Sequence, residues 1–67
     1  MKQISLGEKI KKLRNEKDLT QEELARKAEI PYATLMKIEN EQVKNPTVGT
    51  LKKIADALEV TVDYFLN

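Results

Sequence analysis

The sequence predicts an all-α fold of five short helices packed into one compact domain. Three observations indicate this: apolar residues recur at helical spacing, no segment alternates polar and apolar residues as a strand does, and cap-forming residues precede most apolar stripes. The stripes are joined by connections of two to six residues, which favours a bundle of steeply crossing helices. With 67 residues, the chain is expected to be a single domain over 1–67.

The first two helices each begin with a capping-box pattern. Ser5 with Glu8, and Thr20 with Glu23, have the spacing at which a hydroxyl and a carboxylate satisfy the free amides of a first turn. These caps predict helices over 6–17 and 21–28. Their inward faces comprise Leu6, Ile10 and Leu13 in the first helix, and Leu24, Ala25 and Ala28 in the second.

The remaining three helices follow from proline and threonine signals. Pro31 favours a helix start, and a helix over 31–40 carries the inward pair Leu35 and Ile38. Thr47 can cap a fourth helix, which ends near residue 58. Thr61 can cap a short last helix after it. The apolar residues of these two helices are Leu51, Ile54, Ala55 and Leu58, then Val62, Phe65 and Leu66.

Composition disfavours several classes of function. The chain has no cysteine and no histidine, so we expect no disulfide and no metal site. The sequence shows no nucleophile–base pair, phosphate-cradling glycine loop or metal-ligand cluster, so we expect no catalytic residue, no small-molecule cofactor and no enzyme. No apolar run approaches the roughly 20 residues that cross a bilayer, so a cytoplasmic protein without membrane contact is expected. The net charge is only +1, with six Lys/Arg and two Glu in residues 1–17, so composition alone does not predict a nucleic-acid partner.

The second and third helices have the spacing of a helix-turn-helix motif over about 20–40. About three residues separate them, which is the length of the turn in that motif. Its inward positions are small or aliphatic: Ala25, Ile30, Leu35 and Ile38. This leaves an outward face on the third helix, formed by Tyr32, Ala33, Met36 and Lys37. The major groove of B-DNA, roughly 12 Å wide, admits one such helix.

From Leu19 to Leu58 the chain resembles the Cro and phage-repressor type of helix-turn-helix regulators, also called the XRE-like family. The stretches that carry the resemblance are LTQEELARKAEI (19–30), ATLMKIENE (33–41), VKNPTVGTLKKIADALEV (43–60) and TVDYFLN (61–67). The resemblance implies a five-helix, lambda-repressor-like domain. It also implies a sequence-preferring transcriptional regulator, repressor-like, that places its third helix in the major groove of double-stranded DNA.

The resemblance further implies which residues meet DNA. The base-facing positions are Tyr32, Ala33, Thr34, Met36 and Lys37, and the phosphate-facing positions are Gln21, Asn40 and Lys44. A lysine can donate to guanine O6 and N7, and alanine or methionine can pack on a thymine methyl group. The alternatives are that Tyr32 packs against the second helix, Gln21 bonds locally at its helix start, Met36 is incidentally exposed, and Lys37 is only solvated.

Two other sets of residues take roles from the resemblance. Arg14 is expected to pair with Glu39 and to fix the orientation of the third helix; the alternative is two separate surface charges. A homodimer on a pseudo-palindromic site is expected, because one helix reads few base pairs. Its contacts would come from Val62, Tyr64 and Phe65, which could instead pack as core, Phe65 foremost.

The chain departs from the family where glycine commonly stands, after the second, third and fourth helices. Those places hold Glu29, Glu41 and Glu59. Each glutamate either adopts a left-handed backbone, at a cost of roughly 1 kcal/mol, or sits in a different turn. Glu41 also lies near the expected path of the phosphates, where its charge would oppose binding.

A second function fits the same scaffold. It could serve as a protein-binding adapter or an antitoxin-type module with weak DNA contact. The near-neutral charge and the acidic residues at 29, 39 and 41 favour this alternative.

Overall fold

The computed structural model describes residues 4–66 and shows five α-helices and no strand over that range. The helices are α1 (Leu6–Glu16), α2 (Gln21–Ala28), α3 (Tyr32–Glu39), α4 (Val48–Ala57) and α5 (Val62–Leu66). The prediction of an all-α, five-helix fold is confirmed. Lys17, Pro31 and Asn40, expected as helical ends, instead flank α1 and α3 as caps. Within 4–66, no helix has the length and apolar character to cross a membrane.

Both predicted capping boxes are present. The Glu8 amide donates to Ser5 Oγ over 3.2 Å, and the Ser5 amide donates to Glu8 Oε1 over 3.3 Å. In the second box the bond from the cap amide to the carboxylate is shorter, because the Thr20 amide donates to Glu23 Oε1 over 2.8 Å. That amide, and then the Thr20 hydroxyl, hold the pKa of Glu23 below its ordinary value of 4.5.

The first four helices end in the same way, on an acidic residue with a left-handed backbone. These residues are Asp18, Glu29, Glu41 and Glu59, with φ of 57°, 59°, 66° and 61°. After α2, for example, the Ile30 amide donates to the Ala25 carbonyl over 3.0 Å, while the Glu29 amide donates to Arg26 over 3.1 Å. This is the Schellman arrangement, which normally takes glycine at the left-handed position. The three glutamates therefore accept the strain rather than a different turn.

The core is built mainly from four helices. Its fully buried large side chains are Ile10, Leu24, Leu35, Ile38, Ile54 and Leu58. Two of them, Leu35 and Ile38, lie three residues apart on α3 and turn one face of that helix inward. Partly buried Ile30 packs against the same core from the turn. The predicted inward faces of the helix-turn-helix motif are therefore confirmed, and the opposite face of α3 is directed outward.

One glycine determines how closely α1 approaches α3. Gly7 is buried, and a β-carbon there would lie 2.6 Å from the Ile38 carbonyl oxygen and 2.7 Å from that of Glu39. Such distances are shorter than real β-carbon contacts. Only glycine lets the backbones come this near. Gly49 in α4 is different, because its β-carbon would have Thr47 Oγ1 as nearest neighbour, 4.0 Å away.

Candidate nucleic-acid interface

The outward face of α3 is open to solvent. Tyr32 is 43% exposed and Met36 is 36% exposed. Ala33 and Lys37 are also exposed, and Thr34 is half-buried. Nothing in residues 4–66 covers this face. Because the opposite face holds Leu35 and Ile38 in the core, α3 presents these side chains on a fixed support.

A buried ion pair ties the end of α3 to α1. Arg14 donates through Nε to Glu39 Oε2 over 2.8 Å and through a terminal nitrogen to Oε1 over 3.1 Å. The side chains are only 11% and 1% exposed. A second terminal nitrogen of Arg14 donates to the Leu19 carbonyl over 2.8 Å. A buried pair of this kind adds little net stability but penalises any geometry that separates the charges.

The ion pair continues outward through two more side chains. Gln21 Nε2 donates to Glu39 Oε1 over 3.1 Å, and the Tyr32 hydroxyl donates to Gln21 Oε1 over 3.2 Å. A connected path thus leads from Arg14 on α1 to Tyr32 on the exposed face of α3. Both partners of Gln21 lie on α3, so these bonds are not the local helix-start bonds that were the alternative to a phosphate contact. Gln21 retains one amide hydrogen beyond the bond to Glu39.

The segment after α3 holds the other two residues expected near phosphate. Lys44 is exposed in the loop. Asn40 caps α3: with its amide oriented to satisfy its neighbours, its nitrogen donates to the Met36 carbonyl over 2.8 Å and to that of Lys37 over 3.1 Å. Asn40 would have to release this cap before donating to a phosphate.

Glu41 is exposed, and its carboxylate is hydrogen-bonded to the start of α1. Ser5 Oγ donates to Glu41 Oε2 over 3.0 Å, at the N-terminal end of α1. The positive end of a helix dipole stabilises a negative charge at this position. The opposition that Glu41 would offer to a phosphate is therefore partly offset by its own environment.

The three residues of α5 that were expected to contact a second subunit differ in how exposed they are. Phe65 is 5% exposed and belongs to the core, so its side chain is not available to a second subunit. Tyr64 is 43% exposed and meets the Phe65 ring edge-on, with centroids 5.4 Å apart. Val62 is half-buried against the core. Leu66, the remaining apolar residue named for this helix, is 68% exposed.

The described residues show no group that suggests chemistry at a metal. Across 4–66, no three carboxylates or other ligating side chains come together in a way that could hold a metal ion. The outward face of α3 and the residues beside it offer an amide, a phenol, a thioether and lysine amines. Such a surface can hydrogen-bond, pack and attract negative charge.

Comparison with known proteins identifies relatives along most of the chain. The helix-turn-helix family model matches residues 10–65. The immunity repressor protein of Bacillus phage phi105 is 39% identical over 59 residues, which is 88% of this chain and 40% of that protein. The HTH-type transcriptional regulator SinR of Bacillus licheniformis is 37% identical over 62 residues, 92% of this chain and 56% of SinR. The chain thus spans about half the length of these curated relatives.

Solved structures agree with the sequence relatives. The N-terminal DNA-binding domain of SinR from Bacillus subtilis matches with a TM-score of 0.89 at 35% identity, covering 92% of this chain and 90% of that one. SinR crystallised in complex with DNA matches with the same TM-score and identity, covering 92% of this chain and 98% of that one. The family model, the relatives and the fold agree, and the chain belongs to the helix-turn-helix family of the Cro and phage-repressor type.

Proposed function

We propose that this chain is a sequence-preferring regulator of transcription that binds double-stranded DNA with α3 in the major groove. The observation that carries the proposal is the two-sided character of α3. One face is locked into the core by Leu35 and Ile38, and the other presents exposed side chains to solvent. A rigid helix with a free face is what a groove of about 12 Å width can accept.

The relatives support this function. They are named as an immunity repressor and as transcriptional regulators, and one structural match is SinR in complex with DNA. We infer that this chain acts as a repressor-like regulator in the cytoplasm. It would act as a single domain over 1–67, by binding DNA and without catalysis. No cofactor is required for such binding.

The exposed side chains divide into two roles. Tyr32, Ala33 and Met36 would meet base edges, together with half-buried Thr34 and with Lys37, which can donate to guanine. Lys44 and the remaining amide hydrogen of Gln21 would meet phosphates, which position the protein without reading sequence. The Arg14–Glu39 pair would hold α3 at the angle that this division requires.

A homodimer would extend the reading to two half-sites about one helical turn apart. Among the candidate contacts, exposed Tyr64 is best placed, and half-buried Val62 could contribute its outer edge. Leu66 adds exposed apolar surface on the same short helix. Phe65 would support this surface from beneath rather than touch the partner.

A salt titration of duplex binding tests the proposal. Binding that neutralises Z phosphates should weaken with a log–log slope near −0.9Z. Lys44→Ala should make that slope shallower by about one unit, whereas Lys37→Ala should relax base preference. Lys52→Ala is the control, because Lys52 lies on α4 and pairs with Asp56 over 3.3 Å. It should change neither property.

The adapter function is the alternative outcome of the same experiment. It is favoured by one observation, the acidic left-handed residues Glu29 and Glu41 at both ends of α3. SinR has also been solved in complex with SinI protein. Failure to bind any duplex at low salt, including a randomised pool, would contradict DNA regulation and favour an adapter.

A further inference from the structure

We propose that the Tyr32 hydroxyl faces DNA only as a hydrogen-bond acceptor. It would therefore select a base that offers a donor in the major groove, adenine or cytosine. The buried pair of Arg14 and Glu39 fixes the direction of this hydrogen bonding, and Gln21 transmits it to Tyr32. This inference rests on the proposed function, since it concerns a base edge reached by α3.

The first step is the fixed polarity of Glu39. Its carboxylate is buried and receives two hydrogen bonds from Arg14, one at each oxygen. A carboxylate paired with a guanidinium only accepts hydrogen bonds. Any further group in contact with Glu39 must therefore be a donor.

The second step is the orientation of Gln21. Its amide nitrogen, which is the end that can donate, lies 3.1 Å from Glu39 Oε1. The reverse orientation would put the amide oxygen against a carboxylate oxygen, so that two acceptors would meet and Glu39 would lose a partner. The amide oxygen of Gln21 is thus directed the other way, toward α3.

The third step is the proton of Tyr32. Gln21 Oε1 lies 3.2 Å from the phenolic oxygen and can only accept. The single hydroxyl proton must therefore point back at α2. What the phenol offers to any other partner is the lone pairs of its oxygen. A hydroxyl that could otherwise serve as donor or acceptor has been restricted to one role.

The restriction has a consequence for base choice. In the major groove, adenine N6 and cytosine N4 present amino hydrogens, while guanine and thymine present acceptors at O6, N7 and O4. An acceptor-only oxygen matches the amino groups and is repelled by the carbonyl oxygens. Lys37, in contrast, only donates, so the two side chains select opposite kinds of base edge.

Selection of sites from a randomised duplex pool, followed by affinity ratios for single-base variants, tests the inference. Tyr32→Phe should lose about fivefold of the discrimination between donor and acceptor bases at one position, the size of one net hydrogen bond. Gln21→Met should release the hydroxyl proton, so that guanine or thymine is tolerated at that same position. A role of Gln21 confined to structure or phosphate binding would weaken all sites equally and leave the ratio unchanged. Lys52→Ala is the control, because Lys52 lies on α4 and pairs with Asp56 over 3.3 Å, so it should leave the base preference unchanged.

A base analogue that lacks one amino group tests the proposed hydrogen bond to Tyr32 directly. If the selected base is adenine, a purine that lacks the 6-amino group should cost the wild type about fivefold in affinity and cost Tyr32→Phe almost nothing. For cytosine, a pyrimidinone without the 4-amino group serves in the same way. The inference is overturned if duplex binding is intact but Tyr32→Phe alters no base preference, or if the altered position selects guanine or thymine. Failure of the wild type to retain any duplex would instead overturn the proposed function, and this inference with it.

Discussion

The two glycines of the chain provide a matched test of how α1 is packed on α3. Gly7 and Gly49 each occupy the second residue of a helix, in α1 and α4. Replacing either with alanine restricts the unfolded chain and favours the helix by about 0.5–1 kcal/mol. Since this intrinsic gain is shared, the difference between the two variants measures packing.

The distances set the sign at each site. At Gly49 the new methyl group meets only Thr47 Oγ1 at 4.0 Å, so the full gain is expected. At Gly7 it would lie 2.6 Å and 2.7 Å from two backbone carbonyl oxygens, which cannot rotate away. The helices would have to separate, at a cost typical of overpacking, about 1–3 kcal/mol. Gly7→Ala should therefore be destabilised by about 1 kcal/mol, and the two variants should differ by about 2 kcal/mol.

Urea unfolding followed by far-ultraviolet circular dichroism measures this difference. With an m-value of about 1 kcal/mol/M for a domain this small, the midpoints should lie about 2 M apart, on opposite sides of the wild type. Equal stabilisation of both variants would refute the close backbone contact between α1 and α3.

Further predictions concern the ion pair, one helix end and one cap. Arg14→Ala and Glu39→Ala should each lower the free energy of unfolding by about 3 kcal/mol, because either change leaves a buried charge unpaired. The double variant should lose clearly less than the sum of the two single losses. Additive effects in urea titrations would disprove the coupling. Glu29→Gly should stabilise by about 1 kcal/mol through relief of the left-handed backbone, while Glu29→Ala, which keeps that backbone, should change little; equal effects would show that strain is not the cause. Because the folded pKa of Glu23 is lowered, its contribution is present above pH 4.5 and is lost as pH falls through the lower folded value. Glu23→Gln should therefore flatten the acid limb of a stability–pH profile, and an unchanged limb would contradict the role of the capping box.

The helices could be predicted because their signals are local. The Ser5–Glu8 and Thr20–Glu23 boxes each lie within one turn, and apolar spacing within a single helix determines which face is buried. The outward face of α3 followed from the same rule once Leu35 and Ile38 were placed inside. The pairing of Arg14 with Glu39 came from family resemblance, not from spacing.

The path through Gln21 could not be predicted in this way. Gln21 and Glu39 are 18 residues apart, and their contact depends on the angle at which α2 and α3 cross. The close approach at Gly7 also depends on tertiary packing, although an isolated glycine inside a helical pattern is the kind of signal that would have drawn attention to it. The left-handed backbone at Asp18 was not predicted, although aspartate tolerates that conformation better than most residues.

The most direct test of the central claim, that α3 enters the major groove, is chemical protection of a selected duplex. Dimethyl sulfate methylates guanine at N7 in the major groove and adenine at N3 in the minor groove, so one reaction reports on both grooves. We expect the bound protein to protect guanine N7 within the site and to leave adenine N3 of neighbouring A·T pairs in the same site reactive, with the N7 protection weakened by Lys37→Ala. Protection of adenine N3 alone, with guanine N7 fully reactive, would contradict the account.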